Sequence, residues 1–561
     1  MFRKKRENWG NETHKLPILD LVKIQLDSYS DFLNNQIGAS LLRVNPIKDF
    51  SGKAFQFEFL SHKIDNPQIT PKEALEKGIT FDAPLWAMAK LTNLKTNQVQ
   101  EKKVFLGDIP LMTSIGTFVI NGVERVVINQ LVRSPGVYFT RELDPQSGRH
   151  LYKAEIRPIH GSWIEIMVSK NDHLSVRIDR RRKISVTTLL RAIGFSTNEE
   201  IESLFNDVDT DEEHPYIATT LLKDSSSNTD EALLEFYEKI RPGEPAVIEN
   251  AKNLLKQMFF DSRRYNLGEV GRYKINKKLT GLYSSQQTTT TLTKDDLVAT
   301  IKYLIALQNG KGKTDDIDHL ANRRLRQVGE LVNQTALRRG LLSLERSIRE
   351  KMSLAKPEEL HTPASFVNPR PVVAAIAEFF RRNRLSAILD QINPLSEIDT
   401  IRRVTVMGPG GVTKERASFS MRDIHNSQYS KIGPIRSPEG PNIGLVTYLA
   451  LFTKVNKYGF LQAPYLKVEQ VSKNNKQLMK IGKEITYLTA DDEEDYYITH
   501  AGVGQQNGYI TDKWIACRYQ GEFIEADVNR VQYIDVVPCQ VVSTSASLIP
   551  FVHHDDGIRA L

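Results

Sequence analysis

The sequence predicts a multidomain α+β protein in which helical blocks and antiparallel-sheet blocks follow one another along the chain. Three observations carry this. The chain has 561 residues, too many for one hydrophobic core. Its apolar spacing switches between a helical period and strict alternation several times. And a long stretch rich in Gly and Pro, residues 404–445, separates a helical part from a strand-rich part.

The elements follow in order. "ILDLVKIQLDSYSDFLNN" near the start places apolar residues at helical spacing. From about residue 50 strands dominate. "KAFQFEFLSHKI" alternates, and "GTFVINGVERVVINQLV" reads as two strands around Asn121-Gly122, a pair that tolerates the positive φ a two-residue hairpin requires. "RHLYKAEIRPIHGSWIEIMVSKNDHLSVRID" reads as a meander with turns at His160-Gly161 and Lys170–Asp172. Residues 186–260 are mostly helical, with "KDSSSNTDEA" supplying a loop and a helix start. Residues 315–352 read as the clearest helical region, 404–445 as irregular, and strands return from about 446. No repeat of fixed period is visible.

Composition narrows the function classes. Hydrophobic residues make up 40% and charged residues 25%, ordinary for a globular chain. No run of about 18 apolar residues suggests a membrane span, and the basic start "MFRKKRENWGNETHK" lacks the apolar stretch of a secretory signal. Cys517 and Cys539 have no partner at zinc spacing, which argues against a zinc site or a disulfide scaffold and points to a reducing compartment. The net charge of +7 is mild for this length and permits nucleic-acid binding without requiring it. Its distribution says more. Arginine clusters occur at "RIDRRRK", "ANRRLRQ", "ALRRGLLSLERSIREK" and "FFRRNR", while acidic runs sit apart at "DVDTDEEH" and "DDEED". Any one cluster reads plainly as a solvated face. Several together suit a polyanion, which needs many phosphate contacts.

Two tempting motifs fail on chemistry. "NGKGKTDD" lacks the glycine a phosphate-binding loop needs, Leu307 standing in its place, and it follows a helix rather than a strand. "HHDD" at 553–556, if extended, would point neighbouring side chains to opposite faces and so would not converge on a metal. No spacing suggests covalent catalysis, and no self-contained active site is legible. Two other stretches do suggest a surface for a large ligand. "MGPGGVTKERASFSMRDIH" sets flexible backbone beside Lys414, Glu415, Arg416, Arg422 and Asp423, a combination that approaches phosphates closely; its plain alternative is a connecting loop, although long loops inside compact domains are more often functional. "KIGPIRSPEGPNIG" builds a rigid turning loop around Glu439 and Asn442.

Taken together, these segments resemble the N-terminal portion of the beta subunit of bacterial-type, multisubunit DNA-directed RNA polymerase. The resemblance runs in order through "GDIPLMTSIGTFVINGVERVVINQLVRSPGVYF", "RPGEPAVIENAKNLL", "FFDSRRYNLGEVGRYKINKKL", "DDIDHLANRRLRQVGELV", "FFRRNRLSAILDQINPLSEIDTIRRVTVMGPGG", the Pro-Gly loop and "SASLIPFVHHDDGIRAL". It implies a protrusion over 1–138, returning over 315–375, a lobe over 139–314, a fork over 376–450, an external domain over 451–535 and the start of a hybrid-binding domain over 536–561. Protrusion and lobe would form one wall of the DNA cleft.

The activity implied is template-directed transfer of a nucleotidyl group from a nucleoside triphosphate to an RNA 3′ hydroxyl. The aspartates holding catalytic Mg²⁺ would belong to the beta-prime subunit, so this chain would bind and position. Arg559 matches a residue that contacts the incoming triphosphate, and Glu439, Asn442, Arg403, Lys414, Arg416 and Arg422 would meet substrate or nucleic acid. The implied partners are alpha, beta-prime and omega subunits, a sigma factor, template DNA, nascent RNA and the remainder of a beta subunit, in a bacterial cytoplasm or a plastid.

Departures from the family pattern are specific. Arg436-Ser437 stands where Glu-Thr is usual. In the segment matching the rifamycin pocket, Asp390 and Arg403 fit the pattern, whereas Ala387 replaces a glutamine, Thr400 a histidine and Thr405 a serine; Met407 closes the segment. Because the sequence stops inside a family motif, the resemblance also implies that the chain works only joined to, or assembled with, more beta sequence, and that 535–561 is disordered or aggregation-prone in isolation. The rival reading is a non-catalytic nucleic-acid-binding or regulatory protein derived from a beta subunit.

Overall fold

The structure is a computed structural model describing residues 19–282, 287–356, 358–359, 361–473, 476–506 and 508–556. Its contacts divide the chain into two units, Met1–Val132 with Asp318–Leu561, and Arg133–Ile317. It combines helices with several mainly antiparallel sheets, the multidomain α+β class that the sequence predicts.

In the first unit, strands Ile47–Lys48, Phe55–Ile64, Asp82–Asn93 and Val99–Pro110 pair consecutively as a meander. Phe55, Phe57 and Phe59 alternate inward and are fully buried. They share one core with the apolar faces of helices Arg338–Leu354 and Arg370–Arg382, through residues such as Leu344, Ile348, Ile376 and Phe380. The Asn121-Gly122 turn joins Phe118–Ile120 to Val123–Val127, with φ of 50° and 73°, the left-handed pair that a tight hairpin needs. A further sheet orders Arg323–Arg326, Asn129–Arg133, Arg403–Thr405 and Val446–Tyr448, and a nine-stranded sheet is built around the long hairpin Leu461–Lys473/Lys476–Thr489.

The second unit stacks helices on a five-stranded meander, Gly136–Leu143 to Lys183–Ser185. Its turns fall at His160-Gly161 and around Asp172, which takes φ 56°. The helix start expected in "SSSNTDEA" is Thr229–Ile240 with Asn228 at its N-cap. Two buried arginines fasten the helices. Arg272 makes a bidentate pair with Asp296, at 2.7 and 3.0 Å, and Arg191 meets Asp224, Ser196 O and Ser227 O. Buried guanidinium groups are tolerable where, as here, carboxylate and carbonyl oxygens take up most of their donors.

Two local expectations change. Residues 315–327 are not helical: Arg323–Arg326 is a strand, and helix begins at Val328. Arg323 and Arg324 are buried, the first paired with Asp318 and the second with Glu330, while Leu325 N–H donates to Gly459 O at 2.7 Å. Sheet pairing and ion pairs override the helical propensity of an Arg/Leu-rich run. The stretch around "VHH" is a 3₁₀ turn, Val552–His554, rather than a strand. The Gly-Lys-Thr segment follows helix Lys294–Gln308, as expected. Among the described residues, no helix is long and apolar enough to cross a membrane.

Asp82 and Asp108 lie on paired strands, opposite Pro110 and Pro84. Burial, with the neighbouring Asp108 charge, pushes the Asp82 carboxyl up to about 6, and burial raises Asp108 too. A raised acid binds its proton more tightly in the folded state, so stability falls as pH rises from about 4 through about 6. Asp82→Asn removes that cost. Its thermal midpoint should exceed the parent's at pH 7.5, by an amount worth about 1 kcal/mol after allowance for solvent screening, and the advantage should vanish near pH 4. Thermal unfolding across that pH range measures it.

Candidate nucleic-acid interface

Residues 406–445 leave and re-enter the fold through two adjacent strands. Arg403–Thr405 and Val446–Tyr448 pair antiparallel, Arg403 opposite Tyr448 and Thr405 opposite Val446, and Val404 pairs in parallel with Asn129. The intervening chain carries 3₁₀ turns and no long regular element, as its Gly and Pro content dictates. Its order comes from polar fastening. Gln130 Nε2 donates to Met407 O and Pro409 O, each at 3.1 Å, and Arg326 Nη1 donates to Pro409 O at 3.3 Å.

Lys414, Glu415 and Arg416 are exposed on the turn Lys414–Arg416. Arg422 is committed differently. Its Nη1 donates to Pro441 O at 2.8 Å and Ile443 O at 2.9 Å, gripping the backbone on both sides of Asn442. Gly444, at φ 70°, lies so close that a Cβ would sit 2.3 Å from Arg422 O, so no other residue fits there. Ser437 Oγ accepts from Gly444 N–H and donates to Val446 O, both at 3.0 Å. The result is a closed loop with Glu439 exposed at its tip. Asn442 is half-buried; its carbonyl accepts from Leu445 and Val446 N–H, while its Oδ1 is buried without a hydrogen-bond partner.

Arg436 finds a local function. Its Nε lies 3.7 Å from Asp399 Oδ2, and its guanidinium sits 5.1 Å from the Tyr448 ring centroid. Arg403 approaches the same ring at 5.7 Å. Burial raises the Asp399 carboxyl, opposed by a Ser545 hydrogen bond and by Arg436, Arg403 and Arg402. Arg402 itself is buried, its Nη2 donating to Ala450 O at 2.5 Å and its Nη1 to Leu21 O at 3.2 Å; burial lowers it to about 10, leaving it charged at neutral pH. Sequence reasoning singled out neither Asp399, Arg402 nor Tyr448. Strand pairing brings Tyr448 opposite Arg403, and no spacing in the sequence signals that.

The positions expected from the sequence to match the rifamycin segment occupy one run of strand, turn, helix and strand. Ala387 lies in Ser386–Ile388 opposite Val126, and exposed Asp390 accepts from Ile392 N–H. Thr400 is buried in helix Pro394–Ile401 with its hydroxyl donated to Ser396 O at 2.8 Å. Thr405 Oγ1 accepts from the N–H of half-buried Met407 at 3.1 Å. Arg559 lies outside the described residues.

Comparison with known proteins matches three family models: RNA polymerase Rpb2 domain 2 over residues 133–326, Rpb2 domain 3 over 387–455, and the RNA polymerase beta subunit external 1 domain over 465–537. The chain is 45% identical over 560 residues to the DNA-directed RNA polymerase subunit beta of Syntrophomonas wolfei, covering 100% of this chain and 49% of that protein. It is 45% identical over 545 residues to that of Gloeobacter violaceus (97% and 47%), and 44% identical over 559 residues to that of a Nostoc species (99% and 48%). The chain belongs to the DNA-directed RNA polymerase beta-subunit family. It spans about half the length of the curated relatives it matches. Within this beta-subunit chain, the domain 3 match encloses the whole excursion 406–445 and both strands that close it.

Arg422→Ala should release the beta-subunit loop without unfolding the sheet beneath it. Losing two charge-assisted hydrogen bonds to backbone costs roughly 1.5–3 kcal/mol locally. Hydrogen exchange at the amides of 440–446 should quicken at least tenfold while the strand Leu461–Lys473 keeps its protection.

Proposed function

We propose that this chain serves in template-directed RNA synthesis as the part of a polymerase beta subunit that lines the DNA cleft and positions the RNA–DNA hybrid and the incoming nucleoside triphosphate. The observation that carries this reading is the 45% identity to a beta subunit over 560 residues, the whole length of the chain. The loop geometry supports it. Lys414 and Arg416 are exposed and free to meet phosphates, and Glu439 stands exposed at the loop tip. A loop already ordered loses little entropy on binding. Arg422 acts here by holding backbone, Arg403 acts beside Tyr448, and Arg559 contacts the triphosphate.

The partners are alpha, beta-prime and omega subunits, sigma factor, DNA, nascent RNA and further beta sequence, in a bacterial cytoplasm or a plastid. The two-metal logic of nucleotidyl transfer stabilises attacking and leaving oxygens. Among the described residues of this chain, no three His, Cys, Asp or Glu side chains are grouped to hold a metal. The reading assigns the catalytic Mg²⁺ to beta-prime. Co-purification separates this reading from a free nucleic-acid-binding protein: tagged chain should bring down alpha and beta-prime, and nucleic acid alone would favour the rival.

The purified chain should show no template-dependent RNA synthesis by itself in a radiolabelled nucleotide incorporation assay, and appreciable synthesis would contradict the assignment of the chemistry to beta-prime. An enzyme containing this chain should be weakly inhibited by rifamycins. Ala387 supplies no polar side chain and Thr400 spends its hydroxyl on Ser396 O, and each lost contact costs roughly 1 kcal/mol, about fivefold in affinity. An inhibition titration against a sensitive enzyme measures the difference.

A further inference from the structure

Tyr429, Ser430 and Lys431 lie just before the Pro-Gly loop, where side chains from four separate elements converge on them. Ser430 and Lys431 are wholly buried. Lys431 Nζ lies 2.5 Å from Glu493 Oε1, at the end of the helical turn Ala490–Glu493, and the same oxygen accepts from Tyr465 on strand Leu461–Lys473 at 2.8 Å. The Tyr429 ring lies 3.7 Å from the Arg518 guanidinium, and its hydroxyl donates to Asp535 Oδ2 at 3.1 Å. Arg518 holds Asp535 through both carboxylate oxygens, at 3.1 and 2.8 Å. Ser430 takes φ 58°, an unusual conformation for a residue with a Cβ, and its Oγ accepts from the buried Gln540 at 3.0 Å. Thr453 Oγ1 donates to Lys431 O at 2.8 Å and to Ser430 O at 3.3 Å.

Stability alone is a poor account of this arrangement. A buried ion pair contributes little over well-packed apolar side chains of the same volume, because desolvation cancels most of its attraction. What it adds is direction. A strained backbone is held by partners that fix it at several points. The main chain then runs straight into the loop: Gly433 N–H donates to Tyr448 O at 2.9 Å, and Ala450 N–H donates to Lys431 O at 3.0 Å. The tripeptide is therefore tied on one side to the nine-stranded sheet and on the other to the frame that carries Arg436, Glu439 and Asn442.

We propose that Tyr429, Ser430 and Lys431 are positioning residues, which transmit the placement of the nine-stranded sheet to the loop 434–444 so that Glu439 and Asn442 meet the hybrid and triphosphate in one fixed geometry. This rests on the function proposed above. In this role the sheet is a fixed support for substrate placement.

The test uses the assembled polymerase containing this chain. Lys431→Met removes the charge at similar volume, Lys431→Arg keeps it, and Tyr429→Phe removes only the hydroxyl bonded to Asp535. With assembly verified by gel filtration, Lys431→Met should raise the KM for nucleoside triphosphate or lower kcat by about 10–100-fold, the scale of an ångström-level misplacement. Lys431→Arg should recover most of the loss, and Tyr429→Phe should show a smaller change of the same kind. Should Lys431→Met fail to assemble, Tyr429→Phe decides. Variants that assemble, lose thermal stability and keep parental KM and kcat would overturn the proposal. Asn442→Ala separates the two readings: if it changes KM while Tyr429→Phe and Lys431→Met do not, the positioning role fails and the loop's role stands; if none of the three changes, the loop's role fails with it.

Discussion

The antiparallel pairing of Arg403–Thr405 with Val446–Tyr448 is the constraint on which the candidate interface depends. It brings together the two ends of a long excursion that has only short 3₁₀ turns and no long regular element of its own. Closing a loop costs entropy that grows only slowly with length, so one short, well-supported pairing can hold a long segment. Support comes from Asn129 in parallel register with Val404 and from the buried Val404 itself. With the ends fixed, each internal hydrogen bond removes freedom from an already limited segment.

Polar side chains fasten the backbone within that frame. Arg422 grips the carbonyls flanking Asn442, Gln130 and Arg326 hold Pro409 O, and Arg402 reaches Leu21, Ala450 and Leu451 carbonyls. Gly- and Pro-rich chain offers few apolar side chains to bury, so its order has to come from its carbonyls and amides. Arginine suits the task, having five donors in a planar fork and a charge that survives burial. The same logic appears where burial opposes ionisation of Glu330 but Arg324 and Arg326 outweigh it, holding the carboxyl below its ordinary range.

Much of the fold was legible because local chemistry and tertiary fold agree. The phenylalanines of Phe55–Ile64 alternate since one face of the sheet is buried, and the Asn121-Gly122 hairpin needs only two residues able to take positive φ. The 323–326 segment was illegible. Its charged, Leu-containing sequence suits a helix, and it becomes a strand through neighbours far away in sequence, Asn129–Arg133 and Gly459. Arg436 was equally opaque: a charge beside prolines has no evident partner until the fold brings Asp399 and Tyr448 to it.

The resemblance to a polymerase beta subunit rests on long motifs that occur in family order along the chain; residue types at short range determined, from the sequence alone, that the chain is a multidomain α+β protein and that its stretch 404–445 is irregular and polar. Short-range spacing carries this information because helical period, strand alternation and turn chemistry each act within a few residues. Tertiary structure alone decided which of the polar side chains are free and which are spent. Lys414, Arg416 and Arg422 look alike as cations in one segment, yet the first two stay exposed while Arg422 is committed to Pro441 and Ile443 carbonyls. The reason is that a guanidinium's partner is fixed by where the chain returns in space, and sequence distance does not encode that return.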